Sequence, residues 1–281
     1  MDFSDEQQVE RYGRQLILPE IGRAGQRRLA EARVALIGVG GLGSPVALYL
    51  AAAGVGRLGA IDPEPIELSN LHRQILYAAD ELGQAKVQVA QQRLQSLNPD
   101  VNVVPVQERL AEHNAAAILQ GYDVVVDGSD NVPTRYLVND ACIELNRPLV
   151  HGAIIGFDGH LMTILPRRSA CLRCVFPEPP HPEEIPSCQQ AGVLGSVAGI
   201  IGSLMAHEAL KLVLGAGEPL ADRLLIFEGR SSRFREVPIR QAASCEGCGT
   251  HPVHPGKTDT TRAASCQGTI ERITMPITSE G

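Results

Sequence analysis

The 281-residue chain has no long run of lysine and arginine, and its formal net charge at pH 7 is −7. Proteins that bind nucleic acid present clustered positive charge to the phosphate backbone. This composition therefore argues against a nucleic-acid partner. A secretory signal is lacking as well, because the first residues, MDFSDEQQVERYG, are polar and acidic. We expect a cytoplasmic protein.

Long apolar sequence is also scarce. One stretch, residues 193–214, has the length of a membrane span. It is rich in glycine and serine, however, and it carries His207, Glu208 and Lys211 near its end. Charged side chains are costly inside a bilayer. The sequence therefore predicts a buried helix here and no membrane partner.

Apolar segments with strand and helix periodicity alternate through the first half of the chain. Such alternation is typical of an α/β protein with a Rossmann-like, mostly parallel sheet and helices on both faces. After residue 156 the pattern changes to an antiparallel extension, with predicted strands at 159–165, 223–227 and 234–239. For the first half we predict helices at 4–18, 25–32, 45–53, 86–97, 111–119 and 134–145, and strands at 34–37, 57–61, 101–106, 123–126 and 148–153.

The clearest motif is a strand, a glycine turn, a helix and a second strand over residues 33–62. This arrangement is the nucleotide-binding βαβ fingerprint. Gly38, Gly40 and Gly41 form a tight turn that can approach phosphate, and Gly43 lets the helix pack close to the strand. The helix N-terminus attracts an anion, and Asp62 ends the second strand where ribose hydroxyls would lie. The motif indicates a nucleotide site without identifying the nucleotide.

Two further polar segments follow strands whose carboxyl ends lie at the same edge of such a sheet. The segment 64–77 is predicted to be irregular and outside the core, and residues 127–131 read DGSDN. Acidic residues suited to ribose and Mg²⁺, with arginine and lysine for phosphate oxygens, predict a triphosphate pocket. The candidate residues are Ser69, Asn70, Arg73, Gln74, Lys86, Asp130 and Asn131. An NAD-dependent oxidoreductase, which needs no central cationic pair, stays open as an alternative.

Seven cysteines without a secretory signal indicate a reducing compartment, in which metal binding or catalysis outranks disulfide formation. Two C-x-x-C pairs, Cys171 with Cys174 and Cys245 with Cys248, predict a closed, structural Zn²⁺ site. Such a metal would fix the late part of the chain to the segment that follows the sheet. A thioredoxin-like redox pair would need only one of the two motifs, so zinc is favoured.

Together these motifs resemble the ubiquitin-activating superfamily, and within it the bacterial MoeB/ThiF/HesA group. The resemblance rests on GVGGLGS at 38–44, Asp62, SNLHRQ at 69–74, Lys86 and DGSDN at 127–131. It runs from the N-terminal helix to about residue 252, and motifs in this order are highly specific. It implies a homodimeric adenylyltransferase that uses ATP and Mg²⁺. The implied substrate is the C-terminal Gly-Gly of a ubiquitin-like sulfur carrier of the MoaD or ThiS type, which is prepared for thiocarboxylate formation.

The resemblance also implies residue roles. By this analogy Asp130 holds Mg²⁺, Arg73 and Lys86 hold the phosphates, and Asp62 holds the ribose. Arg14 would reach the ATP of the partner subunit. A non-catalytic adaptor of the same fold is a second alternative, against which the retention of Arg73, Lys86 and Asp130 argues.

We expect one adenylation domain over residues 1–252. Within it we distinguish N-terminal helices at 1–32, a nucleotide-binding half at 33–155 and a carrier-binding and zinc half at 156–252. Residues 253–281 are expected to be a polar tail, whose order is left open. The chain after Cys248 is too short for a rhodanese domain, so we expect the sulfur donor, of desulfurase or rhodanese type, to be another protein.

Three cysteines lie outside the two pairs. Cys142 is predicted to be plain core, and Cys266, in the tail, receives no role. Cys188 follows a proline-rich loop and matches a position that ThiF-like relatives use for covalent sulfur chemistry, so it is a candidate catalyst. An incidental loop thiol is the favoured interpretation, because no neighbouring base can be identified.

Overall fold

The strands of the protein join in one continuous sheet. The computed structural model describes residues 6–179 and 191–249. Its strands are β1 (Arg33–Ile37), β2 (Arg57–Ile61), β3 (Asn102–Val106), β4 (Val124–Asp127), β5 (Leu149–Ile155), β6 (Asp158–Ile164), β7 (Arg223–Glu228) and β8 (Arg233–Pro238). They are ordered β3-β2-β1-β4-β5-β6-β7-β8. The first five in chain order are parallel to one another, and β6, β7 and β8 extend the sheet in antiparallel fashion.

Helices cover both faces of this sheet. They are α1 (Glu6–Leu16), α2 (Gly22–Glu31), α3 (Gly43–Ala53), α4 (Lys86–Leu97), α5 (Glu112–Leu119), α6 (Val132–Glu144), α7 (Leu172–Val175) and α8 (Gly195–Leu214). Apolar side chains of α2, α3, α4 and α8 form the core on one face. Those of α5, α6 and α7 form the core on the other, where Cys142 is fully buried as predicted.

The predicted α/β class, with its parallel sheet and antiparallel extension, is confirmed. Strand β2 and helix α4 begin and end at the predicted residues, the other predicted elements differ by one to three residues at an end, and the short helix α7 has no predicted counterpart. The predicted tail at 253–281 and both Cys188 and Cys266 lie outside the described residues. The division of the chain into an adenylation domain and a tail stays a prediction.

Helix α8 is long and apolar enough to cross a membrane by length and composition alone. Half of its most apolar window is buried, however, and it packs on α3, β5 and β6. At Gly202 an added Cβ would lie 2.6 Å from the carbonyl oxygen of Leu42, so glycine permits the close approach of α8 to the start of α3. The buried Glu208 accepts hydrogen bonds from Thr163 Oγ1 at 2.6 Å and from the Leu220 amide at 2.8 Å. These contacts describe a core helix, as predicted.

The prediction that segment 64–77 stays outside the core is wrong. Ile66, Leu76 and Tyr77 are buried in the core on the α3 side of the sheet. The Tyr77 hydroxyl donates a hydrogen bond of 2.7 Å to the carbonyl oxygen of Val39 in the glycine turn. Because the segment contains only a short 3₁₀ turn, Leu68–Asn70, its sequence has no helix or strand periodicity from which this burial could be inferred.

Candidate nucleotide-binding site and cysteine cluster

A cleft lies at the carboxyl ends of β1, β2 and β4, where open α/β sheets bind their ligands. The empty space in it is about 870 Å³, part of which is open solvent at its mouth. Four basic and four acidic side chains line it: Arg73, Lys86, Arg109 and Arg135, with Asp62, Glu64, Glu108 and Asp130. A cleft with equal numbers of basic and acidic side chains suits a polyanionic ligand that binds together with a cation.

The glycine turn forms the floor of the cleft. Gly38 has a φ of +80°, which favours glycine, and an added Cβ would lie 2.9 Å from the carbonyl oxygen of Gly128. The Asp62 carboxylate fixes the turn, because its Oδ2 accepts the Val39 amide and its Oδ1 accepts the Glu64 amide, both at 2.9 Å. Burial raises the pKa of Asp62, while the charge of Lys86 and these amides oppose the rise. Asp62 therefore has two roles: it lines the cleft, and it holds the glycine turn in place.

Lys86 begins helix α4 and is buried, with 2% of its surface exposed. Its Nζ lies 2.7 Å from Glu64 Oε2, and its charge also acts on Asp62. A buried ammonium needs compensating charge, which these two carboxylates supply. The lysine is thereby held at the wall of the cleft.

Arg73 and Gln74 line the cleft next to the glycine turn. An Arg73 terminal guanidinium nitrogen lies 2.9 Å from the carbonyl oxygen of Ser69, and the arginine stem packs near Gly41. Gln74 is buried, but its Oε1 has no hydrogen-bond partner among the described residues. Since buried polar atoms are normally paired, this oxygen is available to a ligand.

The turn after β4 forms the third side of the cleft. Asn131 caps α6 by accepting the Thr134 amide at 3.0 Å, and the neighbouring Asp130 is exposed in the cleft. The Ser129 hydroxyl is buried and has no partner among the described residues. Arg135, one turn into α6, donates to the carbonyl oxygen of Ser129 at 3.2 Å and 3.3 Å.

Most predicted site residues meet in this cleft, but four do not line it: Arg14, Gly43, Ser69 and Asn70. Ser69 and Asn70 build the adjacent 3₁₀ turn, in which Asn70 Oδ1 accepts the Glu67 amide at 3.2 Å. Gly43 lies against the carbonyl oxygen of Gly38 and permits close packing of α3 on the turn. The binding roles of all the predicted site residues, inside and outside the cleft, stay predictions.

Several residues that line the cleft were not among the predicted site residues, and Glu64, Ser129 and Arg135 are three of them whose contacts are described above. Glu64 follows Asp62 by two residues, and Ser129 lies within DGSDN, so proximity to these motifs could have indicated both. Arg135 carries no sequence signal of this kind. Its place in the cleft depends on helical geometry, which returns it to the turn from which α6 begins.

The four paired cysteines converge as predicted. All four Sγ atoms lie within 4.8 Å of one another, and neighbouring pairs are 3.9 Å (Cys171–Cys174), 3.6 Å (Cys171–Cys245) and 3.4 Å (Cys174–Cys248) apart. Tetrahedral bonds of about 2.3 Å to zinc place thiolates about 3.8 Å apart. The cluster therefore has the geometry and the ligand chemistry of a metal site.

Helix α6 connects the cysteine cluster to the cleft. Asn139 Oδ1 accepts the Leu172 amide at 3.0 Å, and Asp140 pairs with Arg173 at 2.7 Å. Leu172 and Arg173 lie between the first two cysteines. The helix that starts at the Asp130 turn thus holds the first cysteine pair two turns later.

This sheet, glycine turn and cleft define a nucleotide-binding α/β protein. Residues 12–249 match the ThiF family, and the chain belongs to that family. One relative, the sulfur carrier protein adenylyltransferase of Thermus thermophilus, is 50% identical over 251 residues, which cover 88% of this chain and 93% of the relative. The adenylyltransferase and sulfurtransferase MOCS3 of Drosophila sechellia is 48% identical over 246 residues, covering 87% of this chain. The chain spans about half of the length of that relative, 54%.

Solved structures show the same fold at lower identity. A crystal structure of Escherichia coli MccB with ATP has a TM-score of 0.75 and 22% identity, and the match covers 85% of this chain and 74% of MccB. A second MccB structure, with MccA-N7isoASN, has a TM-score of 0.76 and 21% identity over 88% of this chain and 76% of MccB. These matches support the fold described above.

Proposed function

We propose that this protein adenylates the C-terminal Gly-Gly carboxylate of a ubiquitin-like sulfur carrier of the MoaD or ThiS type. The observation that carries the proposal is the buried Lys86 ammonium beside a glycine turn. A fixed buried charge of this kind suits the phosphates of ATP better than the ribose or base. The names of the ThiF-family relatives from T. thermophilus and D. sechellia supply the reaction class.

The proposed reaction joins a carrier carboxylate oxygen to the α-phosphorus of ATP. The bond between that phosphorus and the bridging oxygen breaks, and pyrophosphate leaves with the bonding electrons. The protein forms no covalent bond and instead orients the reactants and stabilises the charge that develops on the phosphates. In this proposal Arg73 and Lys86 contact phosphate oxygens, and Asp62 contacts the ribose. The acyl-adenylate is then the precursor of a thiocarboxylate.

A magnesium ion would be held by Asp130, which is exposed in the cleft and, among the described residues, is engaged only by an Asn131 amide contact of 3.5 Å. When bound, Mg²⁺ neutralises phosphate charge and orients the leaving group. The unpaired Gln74 Oε1 and Ser129 Oγ supply further polar contacts for a bound nucleotide or its water. Asp130, Gln74 and Ser129 are not part of a buried ion pair among the described residues, so Mg·ATP could bind to them without breaking one.

Two alternatives differ in what the cleft would bind. An NAD-dependent oxidoreductase would leave the Lys86–Glu64 pair at the cleft wall unused. A non-catalytic adaptor would have no need for Arg73, Lys86 and Asp130 in one cleft. Both are disfavoured by this combination of residues.

Exchange of labelled pyrophosphate into ATP tests the proposal directly. We expect exchange to require both Mg²⁺ and a carrier with an intact C-terminal Gly-Gly, and to disappear when the last glycine of the carrier is removed. Binding of NAD(H) and not ATP would contradict the proposal. Pyrophosphate exchange that continued after removal of the last glycine of the carrier would also contradict it.

We also propose that the four paired cysteines hold zinc in a structural role. The purified protein is expected to contain about one zinc per chain, and Cys245→Ser to lower both zinc content and Tm, because metal binding contributes to folding. Cys142→Ala is the matched control, since Cys142 is buried outside the cluster and its loss leaves the ligands intact. Metal-free protein with four freely titrating thiols would refute a zinc site.

The described cysteines are all free of disulfides, which supports the proposed cytoplasmic location.

We propose further that the enzyme is a homodimer and that Arg14 acts in the site of the partner subunit. In its own chain Arg14 is exposed and lies outside the cleft. Helix α1 is fixed by Tyr12, whose hydroxyl accepts a hydrogen bond from Asn98 at 2.9 Å and donates one to Asp100 at 3.2 Å. An anchored helix that carries an exposed arginine outside its own cleft suits a contribution in trans.

Mixing an Arg14→Ala subunit with a Lys86→Met subunit is therefore expected to restore activity. One of the two sites in each heterodimer would contain both natural residues, so random reassociation gives about a quarter of the wild-type exchange rate. The control is a dimer in which both subunits carry both substitutions, and it should show no recovery because neither site is intact. Confirmed heterodimers without recovery would show that Arg14 does not act across the interface.

The sulfur donor in this proposal is another protein, of desulfurase or rhodanese type. The residues of the cleft support chemistry only as far as the adenylate, and no step up to that point requires a thiol. Cys188 lies outside the described residues, so both interpretations of it, the favoured incidental loop thiol and the covalent catalyst of sulfur transfer, stay predictions.

A further inference from the structure

Behind the cleft, a buried carboxylate and a buried histidine lie side by side. Strands β4 and β5 are paired in parallel, and the last rung of their ladder joins Asp127 to His151. Side chains that are opposite each other on one face of a sheet are close neighbours. Here His151 Nδ1 lies 3.0 Å from Asp127 Oδ2, and both residues are at most 1% exposed.

The other oxygen of Asp127 reaches the turn that lines the cleft. Asp127 Oδ1 accepts the Ser129 amide at 3.0 Å, while Arg135 holds the Ser129 carbonyl oxygen from the opposite side. Burial alone would raise the pKa of Asp127, but the hydrogen bond and charge of His151, together with hydrogen bonding by Ser129, lower it below its ordinary value. Asp127 is therefore an ionised carboxylate with one oxygen on His151 and one on the turn.

We propose that His151 is a positioning residue for the Ser129–Asp130 turn and acts on it through Asp127. Without the Nδ1–H donor, the buried Asp127 carboxylate loses a hydrogen bond and must either take up a proton or turn toward another donor. Either change weakens its hold on the Ser129 amide. The turn then presents Ser129 Oγ and the Asp130 carboxylate to the cleft with less order. This inference rests on the proposed nucleotide site, because its effect on binding is exerted through Asp130.

Two substitutions and one control test this role. His151→Leu removes the donor, whereas His151→Asn keeps an N–H two bonds from Cβ, as Nδ1 is. His160→Leu is the matched control. The His160 ring lies 5.9 Å from the His151 ring, and burial lowers the pKa of His160 to about 3, but no hydrogen bond joins it to the turn among the described residues.

The first measurement is deuterium exchange of peptides that cover residues 127–131. We expect faster exchange in His151→Leu and near wild-type exchange in His151→Asn and His160→Leu. The second is binding of Mg·ATP, which we expect to weaken about tenfold in His151→Leu only, as when outer partners of a metal ligand are lost. The inference confines the effect to nucleotide binding, so it predicts an unchanged KM for the carrier.

Three results would each overturn the inference. They are wild-type deuterium exchange at residues 127–131 in His151→Leu, an equal rise of that exchange in His160→Leu, and exchange in His151→Asn as fast as in His151→Leu. If the leucine variant does not fold, ¹⁵N spectra of the wild type decide, since the inference requires a proton on His151 Nδ1 and an unprotonated Nδ1 contradicts it. A wild-type protein that bound no ATP would refute the proposed function instead, while the deuterium exchange would still decide the role of His151.

Discussion

Asp130→Ala is expected to lower carrier-dependent ATP–pyrophosphate exchange by about 10²-fold or more, the typical effect of removing a group aimed at the charge of a transition state. Asp130 is exposed in the cleft and contributes little to the fold. The variant should therefore keep its wild-type Tm and lose magnesium-dependent nucleotide binding.

Asp80→Ala is the matched control for this variant, because Asp80 is also an exposed aspartate but lies in a separate 3₁₀ turn, Ala79–Glu81. It should leave exchange and magnesium dependence unchanged. Near-normal exchange in a folded Asp130→Ala protein would remove Asp130 from the site.

Lys86→Met is expected to reduce exchange by a similar or larger factor, about 10² to 10³-fold. Methionine fills much of the same buried volume but removes the cation that faces Glu64 and Asp62. Without it the cleft has an excess of negative charge and repels triphosphate. We therefore expect a higher KM for ATP and a lower turnover rate of exchange.

Lys211→Met provides a control of the same chemistry. Lys211 pairs with the buried Glu208 on α8 and does not line the cleft. We expect a lower Tm, since a buried carboxylate loses its cation, together with unchanged KM for ATP in the folded protein. Equal losses of exchange in both methionine variants would mean that Lys86 acts through stability alone.

Much of the fold could be predicted because its signals are local. The strand before Gly38 and the helix after it have clear apolar patterns, and helix α4 begins and ends where the periodicity of residues 86–97 predicts. The buried face of segment 64–77 could not be predicted in this way. Its core residues, such as Tyr77, are brought in by hydrogen bonds to the glycine turn rather than by a repeating pattern.

The site shows the same division. Asp62, Arg73 and Lys86 could be identified from motifs, because each follows a strand end or begins a helix at the ligand edge. The compensation of Lys86 by Glu64 could not, since a side-chain pairing across 22 positions depends on tertiary structure. The contact of Asp127 with His151 likewise depends on the register of β4 against β5, which no local pattern specifies.

We propose that the protein converts the carrier carboxylate into an acyl-adenylate. The most direct test is to incubate the carrier with the protein and Mg·ATP, add hydroxylamine, and locate the product by mass spectrometry. We predict a hydroxamate on the C-terminal glycine of the carrier, formed only when ATP, Mg²⁺ and the folded protein are all present. A carrier that stays unmodified beside folded protein with bound ATP would contradict the account.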